Sequence, residues 1–118
     1  MTIAYIAHPV GGNVEENLAE ICKIVRKINL EYNDVVPFVP YYSDVVSMND
    51  HVPEERARGI KNNHTILNSG MVHELWLYGQ RISTGMEGEI KIARKNRMRI
   101  RIQSPHILRE EVDSILPD

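Results

Sequence analysis

Short apolar runs alternate with longer amphipathic stretches along the whole chain, and this alternation constrains the fold more than any other feature. The runs at residues 2–7, 34–40, 71–79 and 98–102 have the length and the β-branched or aromatic content of strands. Helical patterns lie between them and after the last one. We therefore predict an α/β fold with a mostly parallel sheet covered by helices on both faces.

Four helices are predicted from apolar spacing and from capping residues. In the first, Asn13 is a candidate N-cap with Glu16 three residues on, and the apolar stripe consists of Val14, Leu18, Ile21, Val25 and Ile28. The second runs from Pro53 to about Leu67. The third follows the turn at 83–85, and the fourth is a short amphipathic helix within 106–116.

Two strands are expected at sheet edges. Pro37 interrupts the second apolar run, and a proline inside a strand favours an edge position or an early end of the strand. Residues 98–102 alternate strictly between apolar residues and arginine, as an exposed or edge strand does. The polar segment from Tyr41 to His51 shows no clear helix or strand pattern, and it is interpreted as a loop over a site.

Length and composition favour one domain that folds by itself. The chain has 118 residues, of which 42% are hydrophobic and 25% charged. The net charge of -2 gives no overall attraction to nucleic acid or to an anionic membrane. The sequence shows no signal peptide or membrane-spanning run, so a cytoplasmic location is expected. Cys22, the sole cysteine, lies on the apolar face of the first predicted helix and is expected to be a buried thiol.

The rule that ligands bind beyond the carboxyl ends of parallel strands directs attention to three segments: HPVGG, YYSDVVSMND and GQRISTG. In the first, His8 ends a strand, and Gly11 and Gly12 precede a helix. Backbone N–H groups there could hold an anion, although a tight turn would also require such residues. In the third, Ser83 or Thr84 could contact a phosphate or could simply cap the following helix.

Metal and nucleic-acid sites are not expected. The five histidines lack metal-ligand spacing and have no cysteine pair beside them, so His73 is interpreted as a structural residue. Six basic residues and no acidic one lie between Lys91 and Arg101. A nucleic-acid patch is one interpretation, but no aromatic residues for base stacking are interleaved there, and a solvated surface is preferred.

Glu89 is the most unusual single residue. On a helical wheel it falls among Met86, Ile90, Ile92 and Ala93, so a carboxylate in the first turn of a helix is expected to point inward. Such a group usually has a partner or a function. The alternatives are that Glu89 caps its own helix or pairs with an arginine.

Three stretches resemble the nucleoside 2-deoxyribosyltransferase superfamily, which includes the 2'-deoxynucleoside 5'-phosphate N-hydrolases: AYIA at 4–7, LWLYG at 75–79 and STGMEGEIKIA at 83–93. The resemblance implies that residues 1–118 form one domain of this type, with a Rossmann-like or flavodoxin-like sheet of about five parallel strands. It implies Glu89 as the catalytic nucleophile with Tyr5 beside it, and no metal or organic cofactor. Substrate contacts are expected from the first loop and the second turn: His8, Pro9, Gly11, Gly12, Ser83, Gly85 and Met86.

One residue of the superfamily pattern is absent. Its enzymes usually carry an aspartate on the helix before the third strand, where it assists proton transfer to the departing base. This chain has Asn63, His64 and Thr65 in that region. Asp44, Asp50 or His64 could replace the acid, or the protein could be a binder of nucleotides without catalysis.

The expected partner is a small nucleoside or nucleotide, with no membrane and no nucleic acid. A homo-oligomer is also expected, both from the resemblance and because the apolar residues Ile107, Leu108 and Ile115 are predicted to be exposed on the terminal helix.

Overall fold

The computed structural model describes residues 1–118, and it confirms the α/β class with four parallel strands. The strands are β1 (Thr2–Ala7), β2 (Val35–Phe38), β3 (Glu74–Leu77) and β4 (Arg99–Ile102). The helices are α1 (Val14–Glu31), α2 (Tyr41–Ser47), α3 (Pro53–Leu67), α4 (Thr84–Lys95) and α5 (Arg109–Asp113). The strand order is β2-β1-β3-β4, so both predicted edge strands lie at edges, and the count is four rather than about five.

Side chains alternate along the strands, so β1 and β3 each contribute apolar residues to both faces of the sheet. Tyr5 and Ala7 of β1 join the larger apolar cluster with Leu75 and Leu77 of β3. Ala4 and Ile6 join a smaller cluster on the other face, with Trp76 and Ile28 of α1. The larger cluster is completed by buried residues from every helix, including Ile21, Tyr41, Leu67, Ile90 and Val112.

The first helix begins as its capping residues predict. Asn13 Oδ1 accepts a hydrogen bond from the Glu16 backbone N–H at 3.3 Å, and Asn13 Nδ2 donates to the Glu16 carboxylate at 2.7 Å. Ile21 and Ile28 are its fully buried residues. Cys22 is exposed, so the prediction of a buried thiol is wrong. It follows Ile21 by one position, which rotates it about 100° away from the buried stripe on a helix of 3.6 residues per turn.

The segment from Tyr41 to His51 differs from the predicted loop, because residues 41–47 form α2. Tyr41 explains the difference. Its ring is buried against Tyr5, with ring centroids 5.8 Å apart, and its hydroxyl donates to the Ile6 carbonyl at 2.7 Å. No side chain caps this helix, so tertiary contact stabilises it where the local sequence gives no signal.

The end of the chain also differs from its prediction. Helix α5 is only five residues long, and Ile107 precedes it and is buried. Ile115 packs against the main cluster, while Leu108 alone of the three is exposed. The supposed apolar face of the terminal helix therefore gives no support to an oligomer.

His73 has a structural contact, as predicted. It lies just before β3, and its Nδ1 accepts a hydrogen bond from the Ile3 backbone N–H at 2.8 Å. No helix is long and apolar enough to cross a membrane.

The loops at the carboxyl edge touch one another at Gly79. Its φ is +98°, and a Cβ atom there would lie 2.5 Å from Pro9 Cδ, which belongs to a rigid ring. Only glycine allows β1 and β3 to end so close together.

Gly79→Ala is therefore expected to destabilise the protein by about 3 kcal/mol or more, because left-handed backbone strain adds to overpacking against Pro9. Gly70→Ala is the matched control, since Gly70 has a φ of +84° and a methyl group there would meet no atom within 4 Å. It should cost about 1 kcal/mol from backbone strain alone. Urea unfolding of both variants measures the difference, and equal losses would contradict the close contact.

Candidate functional site

A cavity of about 210 Å³ opens at the carboxyl edge of the sheet, where the rule for parallel sheets places a ligand. Its walls come from the turn after β1, from α2 and the segment after it, from one face of α3, and from the start of α4. Six of the nine residues predicted to form the site line it: His8, Gly11, Ser83, Gly85, Met86 and Glu89.

The other three predicted residues lie elsewhere. Tyr5 is fully buried beneath the cavity and reaches it only through its contact with Glu89. Pro9 lines a neighbouring cavity. Gly12 lines neither of the two; it is an exposed turn residue with a φ of +95°, so the turn itself explains the glycine.

Glu89 points inward as predicted and is only 8% exposed. Helix α4 begins at Thr84, which puts Glu89 in the second turn rather than the first. The positive end of the helix acts mainly within the first turn, so it stabilises this carboxylate less than expected. Both structural alternatives are excluded by contacts, because Ser83 caps the helix and no basic side chain pairs with Glu89.

Tyr5 is the hydrogen-bond partner of Glu89. Its hydroxyl donates to Glu89 Oε2, and both groups are buried. Burial raises the pKa of Glu89 to about 7, although the hydrogen bond from Tyr5 acts in the opposite direction. Burial and the neighbouring carboxylate together raise the pKa of Tyr5 well above its usual value, so the tyrosine keeps its proton and stays a donor.

Ser83 is the N-cap of α4, because its Oγ accepts a hydrogen bond from the Met86 backbone N–H at 3.2 Å. Its hydroxyl also lines the cavity with its proton free to donate. His8 is 8% exposed, and its Nδ1 lies 2.6 Å from the Pro9 carbonyl. Since a carbonyl can only accept, Nδ1 carries the proton of that bond and Nε2 is left for another partner.

Two arginines of the cavity were not predicted as site residues, and Asn63 was noted only in the region where the superfamily carries its aspartate. Arg56 reaches it from α3 and pairs with Asp50 at 3.3 Å. Arg81 lines both cavities and has no ion pair. Asn63 lines the cavity, and its buried Oδ1 has no hydrogen-bond partner. Spacing does not show that Arg56 and Asn63 line the cavity, because the packing of α3 decides which of its polar residues face the sheet edge. Arg81 lies in the segment GQRISTG, which the rule for parallel strands had indicated.

His64 does not line this cavity. Its ring instead packs on α4, where Nε2 would lie 3.4 Å from a Cβ atom at Gly88. Burial lowers the pKa of His64, which favours a neutral ring. No group of three or more histidine, cysteine, aspartate or glutamate residues is arranged to hold a metal ion.

These features define a class of protein: a small Rossmann-like α/β domain with a ligand cavity above a buried glutamate–tyrosine pair. The chain belongs to the family described as Domain of unknown function (DUF7768), whose model matches residues 2–103. The match includes all four strands and every residue of the cavity. No curated protein matches the sequence.

The raised pKa of Glu89 predicts a pH-dependent stability. Between the usual value of 4.5 and about 7, the folded protein holds a proton that the unfolded chain has lost, so stability falls as pH rises. Replacing Glu89 by Gln keeps an acceptor for Tyr5 and removes the titration. Relative to the parent, Glu89→Gln should gain about 3 kcal/mol of stability between pH 4 and pH 8.

Urea unfolding at several pH values measures this gain. Glu87→Gln is the control, because Glu87 is exposed and two residues away on the same helix. Its difference from the parent should stay constant with pH. A constant difference for Glu89→Gln as well would show that Glu89 is not held in a desolvated site.

Proposed function

We propose that the protein is an N-glycosidic bond hydrolase or transferase acting on deoxynucleosides or their 5'-monophosphates, with Glu89 as the nucleophile. The observation that carries the proposal is the buried Glu89 carboxylate, which borders the cavity and has a tyrosine donor but no cation. A structural carboxylate in such a place would normally be paired with a basic side chain. The resemblance to the nucleoside 2-deoxyribosyltransferase superfamily assigns the same two residues to the reaction.

In the first step, a Glu89 oxygen attacks the anomeric carbon of the sugar and the carbon–nitrogen bond breaks, with its electron pair leaving on the base. The resulting glycosyl ester then passes to water or to a second base. Tyr5 holds Glu89 Oε2, so the other carboxylate oxygen is left to attack. No metal or organic cofactor is required by this chemistry.

The phosphate of a monophosphate substrate would be held at the rim. Ser83 and the start of α4 offer a hydroxyl and a positive helix end. Arg81 offers a cation that no carboxylate in the protein already neutralises. A homo-oligomer is part of the proposal through the resemblance alone.

A second candidate is a nucleotide-binding protein without catalysis. Asn63 favours it, because this residue lines the cavity from the helix on which the superfamily carries its aspartate, and a carboxamide supplies no acidic proton. Incubation with a panel of deoxy- and ribonucleosides and their monophosphates, followed by chromatography for free base, distinguishes an enzyme from a non-catalytic binder. Saturable binding by calorimetry without base release would favour the binder.

Glu89→Ala is expected to abolish base release while the protein stays folded, because no other group would attack the anomeric carbon. Glu87→Ala changes an exposed carboxylate of the same helix and should leave the rate within about twofold, as surface substitutions usually do. The rates are measured by chromatography on the substrate that the panel identifies. Parent-level activity in Glu89→Ala would eliminate the nucleophile assignment.

Tyr5→Phe should lower kcat by roughly 10- to 100-fold. It removes a hydrogen bond to a charged group, worth about 1.5–3 kcal/mol, and leaves the buried carboxylate without a donor. Steady-state kinetics should show a smaller change in KM, since the tyrosine does not line the cavity. A change confined to KM would assign Tyr5 to substrate binding instead.

A further inference from the structure

The departing base needs a proton, and the cavity contains few groups able to supply one. Besides Glu89, its acidic residues are Asp44, Asp50 and Glu55. Asp50 is paired with Arg56 at 3.3 Å, and Glu55 accepts a hydrogen bond from the Asn49 backbone N–H at 3.0 Å. Asp44 has neither a cation nor a backbone donor, so its carboxyl group is the one still available for chemistry.

Asp44 is held by an amide whose orientation is fixed. Asn62 Nδ2 donates to Asp44 Oδ2 at 3.2 Å, and Asn62 Oδ1 accepts from Arg58 Nε at 3.1 Å. Because the guanidinium can only donate, the amide must turn its oxygen to Arg58 and its nitrogen to Asp44. One oxygen of Asp44 is thus held by α3, the other has no hydrogen-bond partner, and the residue lines the cavity.

The other two candidates for the acid are less suitable. His64 packs against Gly88 and does not line the cavity. Asp50 is already neutralised by Arg56, and protonating it would break that ion pair. The helix before β3 supplies only Glu55 as an acid of the cavity, and that carboxylate already accepts the Asn49 N–H, whereas α2 supplies Asp44.

We propose that Asp44 is the general acid–base residue of this site, placed on α2 instead of on the helix that carries the acid in the superfamily. The inference rests on the proposed function. As Glu89 forms its ester with the anomeric carbon, the Asp44 carboxyl proton passes to the nitrogen of the departing base. The Asp44 carboxylate then takes a proton from the attacking water, whose oxygen bonds to the anomeric carbon while Glu89 leaves as a carboxylate.

The step requires Asp44 to give a proton to the base while Glu89 attacks as a carboxylate. The nature of the leaving group separates these two roles. An N7-methylated guanine carries a positive charge before the bond breaks and departs as a neutral base without any added proton.

The test compares 2'-deoxyguanosine 5'-monophosphate with 7-methyl-2'-deoxyguanosine 5'-monophosphate in the parent and in Asp44→Asn, with enzyme-free rates subtracted. General acid catalysis contributes about 10²- to 10⁴-fold. Asp44→Asn should lose at least about 100-fold on the ordinary nucleotide and less than about threefold on the methylated one. Glu89→Gln should lose both activities, because both need the nucleophile.

Asp50→Asn is the matched control, since it removes another cavity carboxylate and should change both substrates by the same factor. Equal losses on both substrates in a folded Asp44→Asn protein would overturn the acid role and leave the proposed function standing. Thermal unfolding checks the fold, and Asp44→Ser repeats the comparison if the asparagine variant is unstable. Base release by the parent from neither of these nucleotides nor any member of the nucleoside and nucleotide panel would overturn the proposed function itself, and this inference with it.

Discussion

The burial of the Glu89 carboxylate against the Tyr5 hydroxyl is the interaction on which the rest of the site depends. Tyr5 belongs to β1, a central strand, where its backbone is paired with Phe38 on one side and Leu75 on the other. It cannot move without disturbing the sheet. Glu89 is carried by α4, whose Met86, Ile90 and Ala93 pack into the main apolar cluster. The hydrogen bond therefore joins two rigid elements and fixes the carboxylate at the cavity.

This arrangement buries a carboxyl group at the expense of stability. Desolvation disfavours the charged form of Glu89, and the single donor from Tyr5 only partly compensates. An arginine in place of the tyrosine would stabilise the charge more strongly, but it would also neutralise the nucleophile of the proposed reaction. The other ionised groups around the cavity show the contrast, because Asp50 and Arg56 satisfy each other at the rim. Groups whose pKa is perturbed by burial in this way are concentrated at functional sites.

Tyr41 connects the buried pair to the wall of the cavity. Its ring lies against Tyr5 and its hydroxyl is bound to the Ile6 carbonyl, so α2 begins at a fixed position above β1. Asp44 of this helix lines the cavity, and its carboxylate accepts a hydrogen bond from Asn62 of α3. A short helix with no side-chain cap thus has a defined place because one tyrosine is buried at its start. The two carboxyl groups of the proposed reaction are positioned through the same aromatic contact.

The sequence by itself determined the order of the strands and of the helices other than α2, the edge positions of β2 and β4, the cap at Asn13, and the inward direction of Glu89. These follow from periodicity, from proline and from capping chemistry, all of which act over a few residues. Tertiary structure alone decided the helix at Tyr41–Ser47, the exposure of Cys22, the burial of Ile107, and which acidic groups share the cavity. Asp44 and Glu89 lie far apart in the sequence, and their presence in one cavity depends on how α2, α3 and α4 pack around one sheet edge. No local pattern records that packing, because it arises from burying side chains that are distant along the chain.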